Sequence, residues 1–126
     1  MNLNIPYMET DNKLLNDAYR IAAGDIVGNI VYYQNGLLTE EKPCMIAGLD
    51  YNTPWTRDTA INIWNALSIL SPEVSKNTLL AVLEEEEGNI YIGGQYWDSI
   101  IWMIGAREYC RFHKDDNFYR LAFEAG

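Results

Sequence analysis

The chain has 126 residues, of which 18 are acidic and nine are Lys or Arg, so its formal charge is −9. A chain of this length is expected to form one domain around one core. Its negative charge repels phosphate groups, which argues against nucleic acid or an anionic membrane surface as a partner. Nine Tyr and four Trp residues are many for this length and provide flat surfaces for a core or a binding platform. Neutral ligands therefore remain the class to consider.

Cys44, Cys110 and the single histidine, His113, are too few and too widely spaced for a disulfide scaffold or a cluster of metal ligands. We therefore expect two free thiols, no metal and no cofactor. The first residues lack a basic stretch followed by an apolar one, and no apolar run reaches the roughly 18 residues of a membrane span. These features favour a cytoplasmic protein, or one whose leader is absent from the sequence.

Hydrophobic periodicity predicts helices along most of the chain. The first is amphipathic and is expected to run from a cap at Asp11 to about Tyr33. Gly24 and Gly28 are unfavourable inside a helix, so they indicate either the close approach of another backbone or a break into two shorter helices. Residues 34–57 show no periodicity and are expected to form a functional loop.

The middle of the chain predicts one buried helix and one amphipathic helix. The buried helix runs from about 57 to 70, and its lack of charge indicates that protein encloses it. The amphipathic helix is expected from 72 to about 86, with Ser71 as its N-cap and Pro72 in its first position. The four consecutive Glu residues at 84–87 are interpreted as its solvated end.

A second buried helix is expected from Asp98 to about Phe112, followed by a last amphipathic segment from Phe118 to Ala125. The two buried helices begin about 40 residues apart, which is typical of repeating helical hairpins. The sequence thus predicts an all-α fold of about five helices in a single domain.

Similar motifs precede the two buried helices, Trp-Thr-Arg-Asp at 55–58 and Tyr-Trp-Asp at 96–98. If neighbouring helices are antiparallel, the two buried helices run parallel and both motifs lie on one face. Carboxylate and guanidinium groups hydrogen-bond to vicinal hydroxyls, and indole rings cover the C–H side of a sugar. The predicted sugar-binding residues are Trp55, Arg57, Asp58, Trp97 and Asp98. For the two aspartates, plain capping of a helix N-terminus is the alternative.

Residues 47–60, 71–73 and 94–102 together resemble the six-hairpin (α/α)6 glycoside hydrolases, the superfamily of glucoamylases and glycogen-debranching glucosidases. In glucoamylase-like enzymes a Trp-Thr-Arg-Asp motif opens an inner helix, and its Arg and Asp hold hydroxyls of the non-reducing-end sugar. The resemblance implies this role for Arg57 and Asp58, and it implies an oligosaccharide or glycoside as the ligand.

The resemblance also has limits. A complete toroid has six hairpins, so we expect residues 1–126 to be an incomplete toroid, the N-terminal part of a larger catalytic domain. Cleavage requires an acid and a second carboxylate, which in this superfamily come from later hairpins, so no catalytic residue is assigned. The expected function is to hold the substrate of a glycoside hydrolase, with self-association through exposed apolar flanks.

Two other classes of function are compatible with parts of the sequence. A stand-alone helical carbohydrate-binding or protein-interaction module is the main alternative, and such a module would be closed and monomeric. A toroid lyase or a terpenoid cyclase is disfavoured, because the sequence has neither a His/Tyr/Arg cluster nor an Asp-rich metal motif.

Overall fold

A computed structural model describes residues 3 and 5–126 of the chain. The helices are α1 (Lys13–Gly28), α2 (Thr56–Asn62, continued by a π-helical turn, Ile63–Leu67, and by Ser68–Leu70), α3 (Pro72–Ala81), α4 (Asp98–Phe112) and α5 (Asp116–Ala125). The strands are β1 (Ile30–Tyr33), β2 (Lys42–Met45), β3 (Leu83–Glu86) and β4 (Asn89–Ile92). The predicted all-α fold, an incomplete toroid of helical hairpins, is therefore wrong. Within the described residues, five helices are combined with two small antiparallel sheets, which is an α+β fold.

The first sheet replaces the end of the long helix that the sequence suggested. α1 stops at Gly28, because the next residues, Ile-Val-Tyr-Tyr at 30–33, are β-branched and aromatic and favour a strand. β1 pairs with β2 so that Ile30 lies opposite Met45. Neither interpretation of the glycines in this helix is therefore observed, because no other backbone approaches Gly24 or Gly28 and the chain continues after Gly28 as a strand instead of a second helix.

The loop between β1 and β2 packs against the C-terminal end of α3. Gly36 has a φ of +59°, and the backbone N–H of Leu37 donates to the carbonyl oxygen of Leu80 at 3.1 Å. A Cβ atom at position 36 would lie 2.5 Å from the carbonyl oxygen of Leu83 and 2.6 Å from that of Leu80. Only glycine fits this close approach, which fixes the first sheet against the helical core.

The second sheet replaces the predicted end of the amphipathic helix. α3 ends at Ala81, and residues 84–87 belong to β3 and its turn, so their assignment to a solvated helix end was wrong. Glu87 and Gly88 both have positive φ, 53° and 83°, as in the type I′ turn that joins two antiparallel strands. Glycine at the second turn position and the alternating apolar residues of β4 favour this hairpin over a continued helix.

The core lies between the sheets and helices α2 to α5. Trp102 is fully buried, and its indole N–H donates to the carbonyl oxygen of Leu79 at 3.2 Å. The Phe118 ring lies 6.3 Å from the Trp102 ring and 5.0 Å from the Tyr109 ring, measured between centroids. Burying a side chain of Phe size contributes about 1.5–3 kcal/mol to folding, so these rings attach α5 firmly to α4.

Helices α2 and α4 run parallel, as the sequence predicts. Near their N-terminal ends Arg57 contacts Asp98, further along Gly105 abuts Ala60, and at their C-terminal ends the imidazole of His113 contacts the carbonyl oxygen of Ser68. Contacting residues therefore lie in the same N-to-C order along both helices, which shows that the helices are parallel. The predicted bounds of α4 are confirmed, as is the start of α3.

Helices α1, α2, α4 and α5 leave apolar side chains uncovered. On α4, which was also expected to be buried, Ile100 is 65% exposed, and on α5 Phe123 is 74% exposed. α2 was expected to be enclosed, yet Ile61, Trp64 and Ile69 lie on its outer side, with Trp64 51% exposed. α1 has no buried residue, and Leu14 is 80% exposed. None of the helices in the described part of the chain combines the length and apolar character needed to span a membrane.

Candidate functional site

A pocket of about 590 Å³ lies at the shared N-terminal end of α2 and α4. Its wall comes from the loop before α2, the first turn of α2 and the turn before α4. Side chains with polar or aromatic groups in this wall include Tyr51, Trp55, Arg57, Asp58, Gln95 and Asp98. Four of the five predicted site residues therefore line one pocket, and Trp97 is the one that does not.

An ion pair joins the two sides of this pocket. The Nε and Nη2 atoms of Arg57 donate to Oδ1 of Asp98 at 3.0 and 2.8 Å, and the backbone N–H of Gln95 donates to Oδ2 at 3.0 Å. The side chain of Asp98 is 13% exposed and that of Arg57 is 49% exposed. Asp98 therefore holds the guanidinium in place while leaving about half of the Arg57 side chain open to solvent.

The pKa of Asp98 is lowered from its ordinary value, first by the hydrogen bond from the backbone of Gln95 and then by Arg57, against the opposing effect of burial. Asp98 thus remains a carboxylate at neutral pH. Both of its oxygens accept bonds from protein groups. The bond from Gln95 closes the turn before α4, and no side chain of the described residues caps α4 by a hydrogen bond, so the capping bond that was the alternative role for Asp98 is not observed.

Glycine is required next to this carboxylate. Gly94 has a φ of +126°, and a Cβ atom there would lie 2.9 Å from both Cβ and Oδ2 of Asp98. The neighbouring Thr56 hydroxyl donates to the carbonyl oxygen of Gly93 at 2.7 Å, which ties this loop to the start of α2. The sequence marked Gly93 and Gly94 only as a loop, because the close contact of Gly94 with Asp98 depends on the fold.

Asp58 differs from Asp98 although both stand in the first turn of a helix. Its carboxylate lines the pocket and has no hydrogen-bond or ion-pair partner among residues 3 and 5–126. Within the described residues no side chain caps the N-terminus of α2, so a capping hydrogen bond does not account for Asp58, whereas its place in the first turn still favours the helix dipole. An acceptor without a protein partner is thus available to a ligand.

Two aromatic rings form one side of the pocket. The rings of Tyr51 and Trp55 meet edge to face, with their centroids 5.5 Å apart, and Trp55 is 55% exposed. Sequence reasoning missed Tyr51 as a site residue, although it lies within the stretch that carries the family resemblance. Its contact with Trp55 limits the positions open to the indole ring.

The pocket therefore combines an uncommitted carboxylate, a partly exposed guanidinium and an indole face. Arg57 and Asp98 neutralise each other, so the charge of Asp58 remains and disfavours anionic ligands. No group of three or more His, Cys, Asp and Glu side chains in the described part of the chain is arranged to hold a metal ion. Hydroxyl groups match these donors and acceptors best.

Comparison of the chain with protein-family models, with curated proteins and with solved structures finds no match.

Proposed function

We propose that the pocket binds a neutral sugar unit of an oligosaccharide or glycoside and that the chain is the substrate-holding part of a glycoside hydrolase. The observation that carries this proposal is the placement of Asp58, which has no protein partner within the described residues, in the same pocket wall as Arg57 and Trp55. The resemblance of residues 47–60 to glucoamylase-like enzymes supports the same assignment.

Each side chain has a distinct role in this proposal. Asp58 accepts hydrogen bonds from sugar hydroxyls, and the N–H groups of Arg57 that do not contact Asp98 donate to hydroxyl oxygens. The indole of Trp55 covers the apolar side of the sugar ring. Asp98 acts through Arg57, because its two oxygens are already occupied.

The same geometry argues that this pocket holds a sugar without cleaving its glycosidic bond. A general acid needs a raised pKa to carry a proton at neutral pH, whereas the pKa of Asp98 is lowered. The pocket wall contains one other carboxylate, Asp58, and one carboxylate cannot serve as both acid and base in the same step. We therefore propose no catalytic residue in this chain.

The proposal is tested by isothermal titration of the purified protein with glucose, galactose, mannose, maltose and glucuronate. We expect at least one neutral sugar to bind. Asp58→Asn should weaken that binding about tenfold, as for one lost hydrogen bond to a charged group. Glucuronate should bind more weakly than its neutral counterpart, glucose. Asp116→Asn is the matched control, because Asp116 also lies in the first turn of a helix but outside the pocket wall.

Two results would reject this function. One is the absence of binding for every sugar in the panel. The other is equal affinity of the unchanged protein and the Asp58→Asn variant, which would remove the proposed role of the free carboxylate.

A second candidate is a protein-interaction role, which the uncovered apolar side of α2 favours. We propose self-association through this surface, formed by Ile61, Trp64 and Ile69. Light scattering over a range of protein concentrations distinguishes self-association from a monomer. A mass that rises with concentration and that Trp64→Glu reduces supports self-association, whereas a constant monomeric mass rejects it.

A further inference from the structure

Residues 95–98 form a tight turn at the edge of the pocket. The backbone N–H of Asp98 donates to the carbonyl oxygen of Gln95, and the backbone N–H of Gln95 donates to Oδ2 of Asp98, both at 3.0 Å. Gln95 and Asp98 line the pocket. Because successive Cα atoms are about 3.8 Å apart, the two residues between them, Tyr96 and Trp97, lie beside the pocket without lining it.

Tyr96 has an unfavourable backbone conformation and an almost fully exposed ring. Its φ is +52°, a region in which glycine and asparagine are the usual residues, and its side chain is 94% exposed. Among residues 3 and 5–126, the ring has no hydrogen bond or aromatic contact. The strained backbone is therefore not compensated by packing inside the fold.

Strain of this kind is characteristic of functional positions. The neighbouring Trp97 is also largely exposed, at 65%, so the turn between the two pocket residues Gln95 and Asp98 carries two exposed, uncharged aromatic rings. Such rings offer flat faces that match the C–H side of a sugar, the same chemistry as that of Trp55 within the pocket.

We propose that Tyr96 and Trp97 form a second sugar-binding surface, which contacts the unit next to the one held in the pocket. The protein then prefers an oligosaccharide to a monosaccharide. This inference rests on the proposed function of the pocket, and it adds the class of ligand, a chain of two or more neutral sugar units. Gln95 and Asp98 belong both to this turn and to the pocket wall, so the occupant we propose for the second surface is the sugar unit bonded to the one in the pocket.

The test is titration with glucose, the α-1,4-linked maltose and maltotriose, and the β-1,4-linked cellobiose and cellotriose. For one of the two linkages we expect affinity to rise about tenfold from glucose to the longer sugar, as for burial of about one ring face of apolar surface. Tyr96→Asn should reduce this increase, because asparagine accepts the positive φ but has no ring and leaves Trp97 as the single ring of the surface. Tyr96→Phe keeps the ring and should retain the increase.

Two measurements separate a ligand contact from a structural role. Thermal unfolding of Tyr96→Asn should show no loss of stability, and its affinity for glucose should be unchanged. Phe123→Ala, which removes an exposed aromatic ring that is not in the pocket wall, should leave the increase in affinity intact.

The outcomes distinguish this inference from the function on which it rests. If glucose binds through Asp58 but affinity does not rise with chain length, or if the rise persists undiminished in Tyr96→Asn, the second surface is rejected and the pocket assignment stands. If none of these sugars binds, the second surface is rejected, and the pocket assignment is rejected with it when galactose and mannose also fail to bind.

Discussion

Replacement of Asp98 by asparagine tests the ion pair that shapes the pocket. The carboxylate accepts three N–H groups, two from Arg57 and one from the backbone of Gln95. Asparagine has one acceptor oxygen, and its amide N–H groups would face a donor in place of the second oxygen. At least one hydrogen bond to a charged group is therefore lost in Asp98→Asn.

The cost of this change follows from the number and exposure of these bonds. A hydrogen bond that involves a charged group contributes about 1.5–3 kcal/mol. The loss on the Arg57 side is reduced by solvent, because that side chain is 49% exposed. We expect Asp98→Asn to lower the free energy of unfolding by about 2 kcal/mol, which lowers Tm by about 7 °C for a domain of this size.

The dependence on pH gives a second, independent signature. The pKa of Asp98 is lower in the folded protein than in the unfolded chain, so its contribution is complete above the unfolded value, about 3.9. It is lost as the pH falls through the lowered folded pKa. The stability difference between the unchanged protein and Asp98→Asn should thus be constant from pH 7 to about pH 5 and should close at more acidic pH.

The assay is urea unfolding followed by circular dichroism at pH 7, 5 and 3. Asp116→Asn serves as the control, because this residue is exposed in the first turn of α5 and should change the free energy of unfolding by less than about 1 kcal/mol. Equal stability of the unchanged protein and Asp98→Asn at pH 7, or a difference that widens towards pH 3, would refute the reasoning.

Three further predictions concern the fold that carries the pocket. Gly105→Ala places a Cβ atom 2.8 Å from Cα of Ala60, so it should cost about 1–3 kcal/mol in urea unfolding, and an unchanged midpoint would contradict the close crossing of α2 and α4. Gly36→Ala, at a φ of +59°, should cost about 2 kcal/mol or more, and a stabilised variant would contradict the observed turn. Burial raises the pKa of the Cys44 thiol to about 12. In the Cys110→Ser variant, which keeps Cys44 as its one thiol, a thiol reagent at pH 8 should therefore react only after denaturant is added. Rapid reaction of this variant in its native state would show that Cys44 is accessible.

The helices nearest the pocket were predictable because their signals are local. Ser71 and Pro72 mark the start of α3, and Asp98 marks that of α4. The shared direction of α2 and α4 followed from the repeat in the sequence, and this direction brings Arg57 and Asp98 together across 41 positions.

The two sheets were not predicted, because their signals are ambiguous in a single sequence. Gly88 can end a helix or occupy the second position of a type I′ turn, and the Glu residues at 84–87 suit a solvated helix end as well as an exposed strand. β1 follows a helix without a proline, and its pairing with Lys42–Met45 is a contact between distant residues that local patterns do not specify.

The separate roles of Asp58 and Asp98 also lay beyond the sequence, since both have the same position in their helices. The difference arises in the turn before α4, where the backbone of Gln95 reaches Oδ2 of Asp98. Among the described residues, no backbone N–H of the loop before α2 donates to Asp58 in the same way. Trp97 lies outside the pocket wall and Trp55 within it, although each directly precedes its helix.

The most direct test of the sugar site is a ¹H–¹⁵N spectrum of the indole N–H groups during titration with maltose. The chain has four tryptophans, and single Trp→Phe variants assign their signals. We predict that the Trp55 signal shifts, while the signals of the buried Trp102 and of Trp64 on the outer side of α2 do not. The assignment of the sugar site would be contradicted if the Trp64 or Trp102 signal shifted and the Trp55 signal did not. It would also be contradicted if no indole signal moved at a high concentration of maltose or at the same concentration of the other neutral sugars.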